Sequence, residues 1–223
     1  MRYWAECGDF FRECRRHFRT TGSILPSSRF LARALVSQLK LPRLSGRILE
    51  VGPGTGSVTK EIIRHLQPED ELDAVEINSQ FVRLLRSRLD REWLKRSQRK
   101  QVRVIHSAVE KLPGQGLYDY IVSGLPLNNF PVGLVREIFR AYTRLLKPGG
   151  KLSYYEYSLI RQIKTPFVNR RERRRLYRIG RVLGTFIRDY QIDRERILIN
   201  VPPAIVRHLC FHPQESFDLL TTN

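Results

Sequence analysis

An acid followed by three alternating glycines is the stretch of this chain best suited to chemistry. Glu50-Val51-Gly52-Pro53-Gly54-Thr55-Gly56 follows the apolar pair Ile48-Leu49. It reads as a strand ending in a carboxylate, a tight turn, and a helix opening at Ser57-Val58-Thr59. Glycine accepts positive φ and lets a ligand approach bare backbone, and a helix start offers unpaired N–H groups. A second apolar run, Leu72-Asp73-Ala74-Val75-Glu76-Ile77, also ends in an acid. At about twenty residues' distance, such an acid can take both hydroxyls of a ribose. The two runs predict a pocket for a nucleoside-containing ligand.

Charge narrows the ligand further. A dinucleotide site carries G-x-G-x-x-G and seats a pyrophosphate on the helix start. Here the spacing is Glu50-x-Gly52-x-Gly54-x-Gly56. A carboxylate ahead of the loop repels phosphate and favours an ammonium or a sulfonium. The run resembles motif I of the class I S-adenosylmethionine-dependent methyltransferases, and Glu76 matches their acid at the end of the second strand. The resemblance covers residues 47–157. It implies S-adenosylmethionine as cofactor, with Glu50, Gly52, Gly54, Gly56 and Glu76 as binding positions. Ser107-Ala108 stands where many members of the family place an acid for the adenine amino group, which leaves that task to Ser107 or to backbone. Ser123, closing the fourth strand, completes the expected set.

These residues need a sheet to hold them. Strands are expected at 47–51, up to Ile77, 102–106, 118–123 and 151–157. Helices are expected at 27–39, from Ser57 to Leu66, 79–97 and 131–146. The alternation predicts an α/β, Rossmann-like fold: a mostly parallel seven-stranded sheet with helices on both faces. Two short strands near 197–200 and 205–211 would finish it, the last antiparallel as in the methyltransferase family. Residues 1–42 read as an N-terminal helical segment that associates with the membrane and covers the substrate, and 43–215 as the methyltransferase domain; a basic helical insertion at 161–189 can either lie on anionic lipid or pack on the sheet. Within 2–19, Phe10, Phe11, Cys14 and Phe18 share a helical face ringed by arginines. In the insertion, Leu176, Ile179, Leu183, Phe186, Ile187 and Tyr190 keep helical spacing.

The chain has 223 residues and 40 Lys+Arg against 22 Asp+Glu, a net charge of +18. Such an excess implies a polyanionic partner, nucleic acid or an anionic membrane. Most of the cations are arginine, whose fork suits the phosphate that both partners carry. Cys7, Cys14 and Cys210 form no C-x-x-C pair, so neither a zinc site nor a disulfide framework is expected. No apolar run reaches bilayer-spanning length and no signal-peptide block is seen, so a cytoplasmic protein is expected.

The loop after strand four, Ile121-Val122-Ser123-Gly124-Leu125-Pro126-Leu127-Asn128-Asn129-Phe130, should wall the reacting group. Ribosomal-RNA adenine dimethyltransferases have a similar loop with an Asn before Leu-Pro and an aromatic after it. Gly124 and Leu127 occupy those positions here, removing the groups that hold and stack a base. Residues 23–32, the run Glu50 to Gly56, and Val122-Ser123-Gly124-Leu125-Pro126-Leu127 together resemble the bacterial lipid N-methyltransferases. That resemblance implies an amine-bearing membrane lipid as substrate, ornithine lipid slightly ahead of phosphatidylethanolamine. It also places the protein peripherally on an anionic inner membrane face, with nucleic acid not favoured. An RNA adenine methyltransferase and a non-catalytic cofactor-binding protein are the alternatives. The sulfonium is a strong methyl donor, so alignment, water exclusion and a neutral amine matter most. Glu156, Tyr155 and Asn128 are the candidates to hold the amine or relay its proton. No metal and no covalent nucleophile is expected.

Overall fold

The computed structural model describes residues 28–93, 101–157, 170–200 and 203–211. The expected helix at 2–19 lies outside these residues. Seven strands form one sheet in the order β3-β2-β1-β4-β5-β7-β6. They are β1 (Arg47–Val51), β2 (Glu71–Glu76), β3 (Val102–His106), β4 (Tyr118–Ser123), β5 (Leu146–Tyr157), β6 (Gln191–Ile197) and β7 (Ala204–Cys210). All neighbours pair in parallel except β7, which runs antiparallel to both β5 and β6. The expected fold class is the observed one.

Helices cover both faces because the strands alternate. On one face Ile48, Leu72, Ala74, Val122 and Tyr155 pack with α1 (Arg29–Leu35), α2 (Ser57–Ile63) and α3 (Ser79–Arg88). On the other, Leu49, Val51, Ile121, Leu152 and Tyr154 pack with α4 (Val132–Leu145) and α5 (Arg170–Tyr190). Ser28 caps α1 by accepting from the Leu31 amide at 3.2 Å, and Asn78 caps α3. Leu31, Ala34 and Leu35 of α1 are buried against the sheet, so this part of the N-terminal segment belongs to the domain's core.

The described part of the basic insertion, from Arg170 on, is helix, and its apolar stripe points inward. Leu176, Ile179, Leu183, Phe186 and Tyr190 are buried, and Phe186 packs on Phe139 with ring centroids 4.7 Å apart. That stripe is spent on the core and not on a bilayer. The sixth strand departs from the expected 197–200. Polar Gln191–Ile197 forms the edge strand, while Leu198 and Ile199 lie exposed in the turn after it.

Candidate active site

Strand order reverses between β1 and β4, the place where open α/β sheets bind ligands beyond their strand ends. The glycine loop leaves β1 there with Gly52, Gly54 and Gly56 all at positive φ. Gly54 faces open space, since a Cβ there would meet nothing within 4 Å. Gly52 is tight: a Cβ would lie 2.5 Å from Cδ2 of Leu125. Gly124 is equally constrained, because its Cβ would come within 2.8 Å of the Gly52 carbonyl oxygen. The loop after β4 thus rests directly on the glycine loop, and close approach explains why Gly124 stands where a base reader would need a side chain.

Period-two alternation puts Glu50 and Glu76 on one face of the sheet, the face of Ile48 and Leu72. Glu50 is completely buried, and neither of its carboxylate oxygens has a hydrogen-bond partner; the Thr59 hydroxyl of α2 also lacks one. Burial pushes the Glu50 carboxyl up to about 8, and the Glu76 charge adds to this. Thr59, nearby but outside bonding geometry, pulls the other way. Glu76 is differently placed. Its Oε2 accepts from the Gly54 amide at 3.0 Å and its Oε1 from the Asn78 amide at 2.8 Å. Burial still raises it, with those amides opposing. Glu76 therefore pins the glycine loop to β2 and keeps lone pairs for further donors. Ser107 lies beside it, its amide donating to the Glu76 carbonyl at 3.2 Å.

A buried, unpaired carboxylate beside positive-φ backbone with open space at Gly54 fits a ligand bearing an ammonium and a nucleoside. Glu50 suits the ammonium of the amino-acid end. Glu76 suits the ribose, and Gly54 leaves room for close approach.

Ser123 does not join this group. The same alternation turns it to the opposite face, where its Oγ accepts from the Tyr142 hydroxyl of α4 at 2.8 Å. The expected catalytic trio is also divided. Glu156, on the Tyr154 face of β5, accepts from Arg207 Nε at 2.7 Å, so its charge is already neutralised. Tyr155 is on the other face, buried against Tyr157 with ring centroids 5.1 Å apart. Burial holds its hydroxyl well above the usual range, so it cannot serve as a base near neutral pH. Asn128 is the member that retains capacity, its Oδ1 buried without a partner in the short turn Leu127–Asn129.

Sequence reasoning missed the residues that brace the loops. Trp93 closes over Gly56, where a Cβ would lie 2.5 Å from its ring, and Arg88 donates to the Thr55 carbonyl at 2.6 Å. Arg175 of α5 donates to two carbonyls of the loop after β4. Trp93 looked like one more member of a helical stripe and Arg175 like one of many arginines, so no local signal separated them. Away from the site, ligand atoms of Asp193, Glu195 and His208 lie within 4.8 Å of one another. His208 Nδ1 is 2.8 Å from Ser153 Oγ, and Nε2 is 3.2 Å from Ser37 Oγ, so both ring nitrogens have partners without an ion.

Comparison with known proteins accords with this geometry. Residues 48–150 match the family described as "Methyltransferase domain". The chain is 33% identical over 150 residues to an ornithine lipid N-methyltransferase of Singulisphaera acidiphila, covering 64% of this chain and 71% of that protein. This chain is a class I S-adenosylmethionine-dependent methyltransferase. Its cofactor is S-adenosylmethionine. A ubiquinone/menaquinone biosynthesis C-methyltransferase UbiE of Stutzerimonas stutzeri is 30% identical over 122 residues, 54% of this methyltransferase and 45% of the relative. The methyltransferase thus spans less than half of that second relative. In fold it is similar to the Burkholderia thailandensis 1,6-didemethyltoxoflavin-N1-methyltransferase, solved with S-adenosylhomocysteine bound. There the TM-score is 0.64 at 14% identity, covering 94% of this chain and 90% of that one. A protein from Methanococcus maripaludis aligns with a TM-score of 0.56 at 17% identity, covering 92% of this chain and 93% of that one.

Proposed function

We propose that this enzyme is an N-methyltransferase for the amine head group of a membrane lipid, with ornithine lipid ahead of phosphatidylethanolamine. The observation that carries the reading is its likeness, over most of both chains, to a protein named for that activity. The site supports it: Gly124 and the buried Leu127 offer no group to hold or stack a base, while Asn128 keeps a free acceptor.

Bound S-adenosylmethionine supplies an electrophilic methyl group on a sulfonium. The acceptor amine, taking that methyl through its lone pair, would release one N–H proton. Glu50 would hold the ammonium of the cofactor and Glu76 its ribose, with the loop of Leu125 resting on Gly52. Asn128 Oδ1 accepts from the amine N–H and so aims its lone pair. An ammonium near lysine's pKa requires roughly 4–5 kcal/mol to neutralise at pH 7. With Glu156 tied to Arg207, we assign the departing proton to solvent.

The partner in this reading is an anionic membrane, met on the inner face of the cell membrane. Arg174, Arg178 and Arg181 are exposed on the outer side of α5, beside exposed Tyr177. Each such cation near anionic lipid contributes about 1 kcal/mol. Because the helix spends its apolar stripe on the core, contact through it is electrostatic and without insertion. Among the described residues no helix is long and apolar enough to cross a membrane.

A second reading comes from the likeness to the quinone-pathway C-methyltransferase, a carbon acceptor on a different molecule. Lipid mass spectrometry of cells expressing the chain separates the two. Head groups heavier by methyl increments support the first; unchanged head groups with methylated quinone precursors would replace it.

A further inference from the structure

The basic helix α5 reaches the loop after β4 through one half-buried side chain. Arg175 Nη1 donates to the Phe130 carbonyl at 2.7 Å, and Nη2 donates to the Asn128 carbonyl at 2.9 Å. One planar guanidinium thus spans the end of the turn Leu127–Asn129. Within the turn the backbone bonds are short-range: Leu127 N to Leu125 O at 3.0 Å, Asn129 N to Pro126 O at 2.9 Å and Phe130 N to Leu127 O at 3.2 Å. The turn carries the buried, unpartnered Oδ1 of Asn128, and it leans on the cofactor loop through the Leu125–Gly52 contact. Whatever fixes the carbonyls of 128 and 130 fixes where the Asn128 amide sits relative to the glycine loop.

We propose that Arg175 is the positioning residue of the acceptor site, clamping the loop after β4 so that Asn128 faces the reacting amine. The inference deepens the proposed function, resting on it for the acceptor but not for the clamp. It makes α5 a working part of the active site. Two carbonyls at this separation suit a rigid fork, and an ammonium acts as a single point of charge, so lysine would be a poor replacement.

Hydrogen exchange by mass spectrometry on the full chain tests the clamp directly. In Arg175→Ala the amides of 125–130 should exchange at least tenfold faster, with Arg175→Lys restoring part of the protection. Segments 48–76 should exchange as in the wild type, and affinity for S-adenosylhomocysteine should stay within twofold. Arg178→Ala, on the exposed side of the same helix, should leave the loop unchanged. With ornithine lipid in mixed micelles, Arg175→Ala should lower kcat tenfold or more at constant KM for S-adenosylmethionine. Unchanged loop exchange in Arg175→Ala would overturn the proposal. So would faster exchange spread across the sheet with a parallel loss of S-adenosylhomocysteine affinity, which marks a merely structural role. If the wild type leaves ornithine lipid unmethylated while the loop still responds, the lipid reading fails and the clamp stands.

Discussion

Replacing Glu50 with Gln should make the ligand-free enzyme more stable and its cofactor site worse. Glu50 is fully buried, lacks a hydrogen-bond partner and titrates at about 8 against 4.5 for an ordinary glutamate. Its folded pKa lies above its unfolded one. The stability linked to this proton is therefore complete below pH 4.5 and drains away as pH rises to about 8. At pH 7 the loss amounts to about 3 kcal/mol, at 1.36 kcal/mol per pH unit. A neutral amide removes most of that penalty, less whatever its own unmet polar atoms cost. The same substitution discards a charge-assisted partner for the cofactor ammonium, worth roughly 1.5–3 kcal/mol, or about 10- to 100-fold in affinity. Only the ionised fraction of wild-type Glu50 binds in this way. The ratio of wild-type to variant affinity should therefore rise about fivefold between pH 7 and pH 8, and taking the ratio cancels the ligand's own titration. Urea unfolding across this pH range gives the first quantity, and calorimetry with S-adenosylhomocysteine gives the second. A Glu50→Gln variant less stable than wild type at pH 7, with an affinity ratio flat in pH, would refute the assignment of Glu50 as an unpaired acid waiting for a cation.

Asn128→Ala removes a buried oxygen without a partner, so the melting temperature should hold or rise while turnover with the lipid acceptor falls; a drop in melting temperature would show that the amide has structural work. Glu156→Gln should destabilise by only about 1–2 kcal/mol, because half-buried Arg207 loses a charged partner but keeps Gln191 Oε1 and an amide oxygen at 156, and should leave S-adenosylhomocysteine affinity within twofold, as read by denaturation and calorimetry. Gly52→Ala should weaken cofactor binding at least tenfold by calorimetry, since φ is +70° and the new Cβ would lie 2.5 Å from Leu125. Arg43→Ala should cost about 3–5 kcal/mol in urea unfolding by stranding buried Asp70.

The cofactor half of the site was legible because its requirements are local. Glu50, the glycines and Glu76 sit at fixed spacings from strand ends, and the observed β1, α2 and β2 follow those spacings closely. The catalytic half was not. Glu156 looked like an acid that strand alternation did not require, but its partner Arg207 comes from β7, and only the sheet order brings the two together. Ser123 closes β4 beside the pocket, yet one residue of alternation turns it to Tyr142. The sixth strand is expected at 197–200, where apolar residues cluster. An edge strand tolerates the charges of Gln191-Ile192-Asp193-Arg194-Glu195-Arg196-Ile197, which deter pairing with another chain, so the polar run forms the strand and Leu198-Ile199 the turn. In α5 the helical spacing was plain, but amphipathic spacing alone cannot say whether the apolar side meets a sheet or a bilayer.

Among the described residues, what separates Glu50 from the other buried carboxylates is unmet bonding. The other buried carboxylates among these residues have charged or amide partners. Asp70 takes both arms of Arg43 and the amides of Gly46 and Gln67. Asp73 takes Arg47, Arg103 and the Tyr118 hydroxyl at 2.8 Å. Burial pushes Asp70 up, but Arg43 and the amides prevail, and its carboxyl titrates below the usual range. Glu50 sits in the same interior at complete burial and is driven the other way, because no arginine was placed beside it. A fold able to pair Asp70 and Asp73 had the arginines to pair Glu50 as well. Leaving Glu50, Thr59 and Asn128 without protein partners costs stability that a ligand supplying donors can return. Two of the three, Glu50 and Asn128, belong to the segments that flank the β1–β4 reversal, and the third belongs to the helix that follows the glycine loop. On this reasoning saturating cofactor should raise the melting temperature of the wild type markedly and that of Glu50→Gln much less, and equal shifts would mean that the unmet carboxylate is not where the cofactor's cation rests.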